Sequence, residues 1–110
     1  MSVYMYQAAY STEAINALVQ NPQDRTAAVQ TVIEAHGGKL IGCWMAFGEF
    51  DIVVIADMPD DESMAGVSLA VGSTGTLANG KTTQLLTMEQ AVEAMNKAQG
   101  SVSSYKPPAT

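Results

Sequence analysis

Two apolar runs separated by a short loop constrain the fold of this chain most strongly. Residues 39–47 and 50–57 are rich in β-branched and aromatic side chains, which are typical of strands. Gly48 opens the two-residue loop between them, and a glycine there is typical of a type II′ turn, whose twist suits antiparallel strands. After the second run, Pro59 stops the strand and Asp60 can cap a helix. The sequence therefore predicts a hairpin that leads directly into a helix.

The rest of the chain is predicted to form helices and strands of ordinary length. Alternation predicts a first strand at 3–10, with Tyr4, Tyr6, Ala8 and Tyr10 on one face. Asn21 as the N-cap and Pro22 in the first turn predict a helix that ends at Gly37. The other predicted elements are a short helix after Ser11, a helix at 60–71, a strand at 82–86 and a helix opened by a capping box at Thr87.

This order of elements predicts the fold class. It is β-α-β-β-α-β with an extra C-terminal helix, the split βαβ pattern of ferredoxin-like α+β domains with an antiparallel sheet. Both faces of the strand at 50–56 are apolar, so we expect it to be central and covered on both sides. Helices of the same chain can cover one face, and a second copy of the sheet is the natural cover for the other. We therefore predict a homodimer or a higher homo-oligomer of the dimeric α+β barrel type.

The acidic composition excludes two classes of partner. The 110 residues carry five Lys and Arg against eleven Asp and Glu, which gives a net charge of −6. Nucleic acids and anionic membrane surfaces both attract clustered positive charge, so neither is an expected partner. The start of the chain lacks the apolar stretch of a signal peptide, and the single cysteine, Cys43, fits a reducing compartment. We predict a cytoplasmic protein with one domain at 1–99 and a flexible Ser- and Pro-rich tail at 100–110.

The hairpin loop also carries a family resemblance. Its residues Gly48, Glu49, Phe50 and Asp51 resemble the Gly-x-Tyr-Asp motif of the GYD domain family, with phenylalanine in place of tyrosine. The resemblance extends over roughly residues 1–97, with further anchors at 37–39 and 60–62. It implies the same ferredoxin-like, dimeric α+β barrel fold, and it brings no settled biochemical activity with it.

Residues 75–82 match the G-x-x-x-x-G-K-[ST] pattern of a phosphate-binding loop. Such a loop needs a strand before it and a helix after it, so that backbone amides and the helix dipole converge on the phosphates. Here a predicted helix precedes the motif and a predicted strand follows it. We therefore expect a glycine-rich turn with a solvated Lys81, and no nucleotide binding.

Two polar residues stand among apolar neighbours. His36, the only histidine, lies at the end of a predicted helix on the apolar stripe of Val29, Val32 and Ile33. It can be satisfied by the last helix carbonyls, or it can act as an acid–base group beside a pocket. Asp51 alternates with apolar positions of its strand, so it is either a structural partner at the hairpin mouth or a site residue.

A ligand-binding domain is the first functional hypothesis. A small, largely apolar molecule would lie between the sheet and its helices, because aromatic side chains in strands can line such a cavity. The predicted ligand-binding residues are Tyr4, Tyr6, His36, Trp44 and Asp51. With one histidine and one cysteine, no metal site is expected, and no cofactor is implied.

Two other functions stay open at this point. The first is a cofactor-independent isomerase or oxygenase, with His36 as the base and Asp51 as its acid or orienting partner. The second is an assembly protein whose sheet surface binds a partner. The sequence leaves open whether the domain is an enzyme. A cavity with convergent polar groups would favour a ligand or a substrate, and a filled core would favour assembly.

Overall fold

The computed structural model describes residues 1–109 and contains four strands and four α-helices within them. Their bounds are β1 Ser2–Tyr10, α1 Thr12–Gln20, α2 Thr26–Ala35, β2 Lys39–Met45, β3 Ile52–Met58, α3 Asp61–Gly72, β4 Leu77–Leu85 and α4 Met88–Gln99. A short 3-10 helix at Val102–Ser104 lies in the predicted tail, whose last residue, Thr110, is outside the described residues. Among residues 1–109 there is no helix with the length and apolar character needed to cross a membrane.

The four strands form one antiparallel sheet in the order β2-β3-β1-β4. β3 pairs with β1 on one side, where Ile52 lies opposite Ala8, and with β2 on the other. The predicted central position of the second hairpin strand is therefore confirmed. This strand order, with helices between the strands and an extra helix at the end, confirms the predicted ferredoxin-like α+β fold.

The buried core lies between the sheet and helices α2 and α3. Side chains alternate between the two faces of a strand, and every second residue of β1 and β3 is buried on the helix side. The buried residues are Tyr4, Tyr6, Ala8, Ile33, Ile52, Val54, Ala56, Met58, Met64 and Val67. The residues between these buried ones point to the opposite side, which we call the second sheet face. Met5, Val53 and Ile55 lie in its centre and Trp44 lies at its edge. Both faces of the central strands are thus apolar, as the sequence indicated.

The hairpin loop is wider than predicted. β2 ends at Met45 and β3 begins at Ile52, so the two-residue type II′ turn is wrong. Gly48 also lacks the positive φ that this turn requires, since the positive-φ residues in the described chain are Gly37 and Gly75. The backbone N–H of Asp51 donates to the carbonyl of Ala8 at 2.9 Å, so the chain is already paired with β1 at this point. Phe47, the last residue of the predicted strand at 39–47, therefore lies in the loop and is fully exposed.

Helix α2 begins later than predicted. Asn21 is the C-cap of α1, where its N–H donates to the carbonyl of Ala17, so it is not available to start the next helix. Arg25 is the N-cap of α2, and the carboxylate of Asp24, one residue earlier, accepts from the N–H of Thr26 at 2.8 Å. The hydrogen bonds from Thr26 hold the pKa of Asp24 below its usual value. Residues 21–25 therefore form a connection, which places Arg25 at the start of α2.

Strand β4 begins at Leu77, five residues before its predicted start at 82. The predicted turn around Gly80 is wrong, because Gly80 lies within the strand and pairs with Ala8. A side chain at this position would not fit, since a Cβ built on Gly80 would lie 2.8 Å from the hydroxyl of Tyr6. Lys81 is exposed on this edge strand, and no helix follows residues 75–82 directly. The phosphate-loop pattern therefore lacks the geometry that phosphate binding needs.

Helix α4 extends away from the rest of the chain. Its predicted capping box is present: Thr87 Oγ1 accepts from the N–H of Gln90 at 3.0 Å, and Gln90 Oε1 accepts from the N–H of Thr87 at 2.8 Å. Its apolar side chains Met88, Val92 and Met95 are 77%, 53% and 62% exposed. The radius of gyration is 17.8 Å, whereas about 13 Å is typical of a globular chain of this length. The apolar face of α4 thus has no cover within the described chain.

Candidate functional site

A cavity of about 300 Å³ lies between the sheet and helices α2 and α3. Its walls are mainly aliphatic side chains from these two helices and from β1 and β3. The polar residues that line it are Tyr6, Tyr10, Arg25, Thr74 and Thr76. This combination of apolar walls and few polar groups is typical of small-molecule sites, and the volume is at the lower end of their range.

Small side chains line this space. Ala8 is fully buried in the sheet floor, while Ala28 of α2 and Ala70 of α3 line the cavity from the helices. A larger residue in place of Ala8 would fill part of the floor, because protein interiors normally pack without voids. The neighbouring side chains Ile33 and Val67 are buried and hold the two helices against the sheet. The cavity is therefore a cleft with a buried floor and an exposed rim, and the rim includes Arg25, Ala28 and Ala70.

Tyr10 and Arg25 form the polar end of the cavity. The phenol of Tyr10 is half-buried, and burial raises its pKa, while the positive charge of Arg25 acts in the opposite direction. The Arg25 guanidinium donates to the side-chain oxygen of Gln23 at 2.9 Å, which is a neutral partner. Both residues also line a neighbouring open cleft of about 470 Å³, so they stand between the two spaces.

The structure does not bring the five predicted ligand-binding residues together. Tyr6 lines the cavity between the sheet and the helices. Asp51 and Trp44 belong to the neighbouring cleft, and Tyr4 borders a separate surface cleft beside α3. The Trp44 ring is 55% exposed and lies over Gly42, where an added Cβ would overlap it.

His36 lies at the C-cap of α2, where its ring has structural partners. Its Nδ1 is 3.0 Å from the carbonyl oxygen of Val32, so this nitrogen carries the proton and donates. On the other side the ring packs against α3, because a Cβ on Gly66 would lie 2.9 Å from the imidazole. Of the two alternatives for His36, this arrangement matches the structural one, in which the ring is hydrogen-bonded to a carbonyl in the last turn of its helix.

Asp51 fastens the start of β3 to the end of β1. Its Oδ2 accepts from the N–H of Tyr10 at 2.9 Å, next to the irregular pairing at Ala9 and Tyr10. Asp51 directly precedes the first residue of β3. His36 lies next to the glycine turn that contacts Met58 and Pro59, at the other end of β3. A strand of this length spans roughly 20 Å. The arrangement does not fit a shared site for His36 and Asp51.

Tyr4 donates a hydrogen bond from its hydroxyl to the carboxylate of Asp61, in the first turn of α3. This bond, with burial as the second cause, raises the pKa of Tyr4 to about 12. The neighbouring Asp60 caps the same helix as predicted, accepting from the N–H of Ser63 at 2.7 Å. The acidic residues after β3 thus anchor α3 and tie it to β1.

The Tyr4 bond predicts a loss of stability at alkaline pH. The folded state keeps the phenol proton up to a pH of about 12, whereas the unfolded chain releases it near 10.0. Because the folded state binds more protons between these values, its free energy of unfolding should fall as the pH rises across that range. We expect a shallower fall for Tyr4→Phe, measured by urea unfolding at several pH values. Tyr105→Phe, at an exposed position, is the control, and equal slopes for Tyr4→Phe and wild type would contradict the prediction.

Sequence reasoning missed most of the polar residues of the cavity. Arg25 is the only arginine of the chain, but it lies in a connection, where no periodicity signals a role. Thr74 and Thr76 follow α3 in a loop, and their hydroxyls are 2.6 Å apart. Tyr10 was recognised only as a strand residue. The one sequence feature that could have indicated a role for Arg25 is its isolated positive charge in an acidic chain.

Comparison with known proteins gives a family and a fold. No curated protein matches the chain. A transcriptional regulator from Neisseria meningitidis, solved as a complex with L-Met, aligns with a TM-score of 0.57 and 16% identity over 78% of this chain. The alignment covers 50% of the regulator, so this chain spans half of its length, and the likeness shows the fold alone.

A further similar structure is an uncharacterized NIPSNAP domain protein from Burkholderia xenovorans. It aligns over 79% of this chain and 94% of its own, with a TM-score of 0.47 and 16% identity. The family model of the GYD domain matches residues 4–95, which is most of the chain. The hairpin that suggested this resemblance lies in the middle of the matched region. This chain therefore belongs to the GYD domain family.

Proposed function

We propose that this GYD domain binds a small, largely apolar molecule in the cavity between its sheet and helices α2 and α3. The observation that carries the proposal is the cavity itself, about 300 Å³ with aliphatic walls and a polar end. A concave space with apolar walls and few polar groups is typical of small-molecule sites. Tyr6, from the predicted set, and Tyr10 supply hydroxyl groups that can orient the ligand.

The enzyme hypothesis has less support from the geometry. It paired His36 as a base with Asp51, and these residues lie at opposite ends of β3. The His36 Nδ1 is bonded to the Val32 carbonyl, and the Asp51 carboxylate to the N–H of Tyr10. A base and its partner need to reach the same reacting atom. We therefore place ligand binding first.

Filling the cavity should weaken binding strongly. Val71 is a half-buried residue of α3 that lines the cavity, so we expect Val71→Phe to occupy the space and to reduce the affinity for the probe 1-octanol at least about tenfold. Leu69→Phe is the matched control, because Leu69 is on the same helix, 74% exposed and outside this cavity. Ligand-detected NMR titration measures both. Equal octanol affinity in Val71→Phe and wild type would place the binding elsewhere and contradict the proposal.

We also propose that the domain works as a homo-oligomer, with a second copy covering the second sheet face. Val53 and Ile55 form an apolar strip there, on the side of the sheet opposite the core. The exposed apolar side chains of α4 supply additional surface that a second copy would cover. Exposed apolar patches of this kind mark association surfaces in many proteins.

A further inference from the structure

We propose that the ligand of this cavity is an amphiphilic acid, with its carboxylate against Arg25 and its apolar body inside the cavity. The inference rests on the proposed function and narrows it to one chemical class. Among the described residues that line the cavity, Arg25 is the only charged one. It is also the only arginine in a chain of net charge −6. A single positive charge at the end of an apolar space is the arrangement that an acid with an apolar body requires.

The chemistry of Arg25 suits a carboxylate. A guanidinium can donate two parallel hydrogen bonds to the two oxygens of a carboxylate, and such charge-assisted bonds are stronger than neutral ones. In the structure the Arg25 guanidinium bonds to the neutral side chain of Gln23, at 2.9 Å. Exchanging that neutral acceptor for an anionic one would strengthen the bond. The phenol of Tyr10 lies close enough for the charge of Arg25 to influence it, and it can donate to the same carboxylate.

The negative charges near Arg25 lie outside the cavity. Asp24 and Asp51 line the neighbouring cleft and not the cavity. The carboxylate of Asp24 accepts from the N–H of Thr26 at 2.8 Å, and that of Asp51 from the N–H of Tyr10 at 2.9 Å. Both carboxylates are thus bonded to backbone amides. Because Arg25 carries the one charge among the described residues that line the cavity, an anionic ligand group is favoured there.

The other polar groups of the cavity do not favour a cationic or strongly polar ligand. Thr74 Oγ1 donates to the carbonyl of Val71 at 2.6 Å and lies 2.6 Å from the hydroxyl of Thr76. These two hydroxyls therefore satisfy one another and the end of α3. A cationic ligand would need a carboxylate in the wall, and the described residues that line the cavity include none.

A series of three probes with one eight-carbon body tests the inference. We expect the wild-type protein to bind octanoate about tenfold more tightly than 1-octanol, because the alcohol lacks the charge-assisted bond to Arg25. Octylamine should bind most weakly, because its positive charge would lie against that of Arg25. Arg25→Gln should remove the advantage of octanoate and leave the affinity for 1-octanol within about twofold. Arg25 is exposed and its side chain does not cap α2, so this variant should fold normally. Isothermal calorimetry or ligand-detected NMR gives the three dissociation constants.

Lys81→Gln is the matched control, because it removes the same charge from an exposed position on β4, outside the cavity. This variant should keep the preference for octanoate. That result would show that the preference depends on the contact with Arg25 and not on the net charge of the protein. Equal binding of octanoate and 1-octanol to the wild type would overturn this inference and leave the proposed function standing. The same conclusion would follow if Arg25→Gln kept the octanoate preference. If none of the three probes bound, the proposed function and this inference would fail together.

Discussion

Replacing Val53 by glutamate is expected to convert a homo-oligomer into folded monomers. Val53 lies in the centre of the second sheet face, opposite Gln7 on one neighbouring strand and Trp44 on the other. In a single chain this side chain is half-buried, so a glutamate carboxylate could still reach water. Against a second copy the same carboxylate would be buried without a partner, which costs several kcal/mol. The substitution therefore acts on association far more than on folding.

Sedimentation velocity at micromolar concentration measures this effect, and circular dichroism checks that the variant is folded. Leu69→Glu is the control, because it introduces the same charge at a 74% exposed position on the outer side of α3. It should leave the sedimentation coefficient unchanged. The proposal fails if the wild-type protein sediments as a monomer, or if Val53→Glu retains the wild-type assembly.

The sheet could be predicted because the side-chain pattern of β1 and β3 indicates that both strands are central. Tyr4 and Tyr6 alternate with half-buried residues of β1, and Val54 and Ala56 do the same in β3. Apolar residues on both sides of these strands require cover on both faces, which is the condition of a central strand. When β1 and β3 are both central and helices connect β1 to β2 and β3 to β4, few strand orders other than the ferredoxin-like one are possible.

The element boundaries were harder to predict, because they depend on contacts between distant parts of the chain. The hairpin closes at the bond from the N–H of Ala46 to the carbonyl of Asp51, at 2.8 Å. Asp51 is also held by β1, because its N–H donates to the carbonyl of Ala8, 43 positions earlier, at 2.9 Å. Helix α2 starts late because Asn21 ends the preceding helix, and its N-cap is Arg25. Asparagine is a good N-cap, so local preference alone does not show that Asn21 ends one helix and does not start the next.

The cavity had the weakest signal in the sequence. Tyr6 was found because strand alternation places it on the buried side. The small residues that line it are Ala8 in the buried floor and the exposed Ala28 and Ala70, and an alanine in a strand or helix is too common to indicate a cavity. Arg25 became part of the site only through the packing of α2 against the sheet. Residues in connections have no periodic pattern that could reveal such a position.

Truncating Ile33 to alanine should produce a large loss of stability. Ile33 is 1% exposed and is contributed by α2 to the core beside the cavity. Deleting buried methylene and methyl groups removes their transfer free energy and leaves additional unfilled volume, which together cost about 2–5 kcal/mol. Since small domains have a total stability of about 5–15 kcal/mol, the variant should unfold at a clearly lower urea concentration.

Ile15→Ala provides the same chemical change on α1, where the side chain is 39% exposed. It should cost far less, because little apolar surface returns to water and alanine favours the helix. Both variants must be compared with the wild type at one protein concentration, since association contributes to the apparent stability. If Ile33→Ala and Ile15→Ala lost equal stability, Ile33 would not be the contact that holds α2 against the sheet. The expected difference of about 2 kcal/mol or more would instead show that the cavity wall is part of the cooperative core.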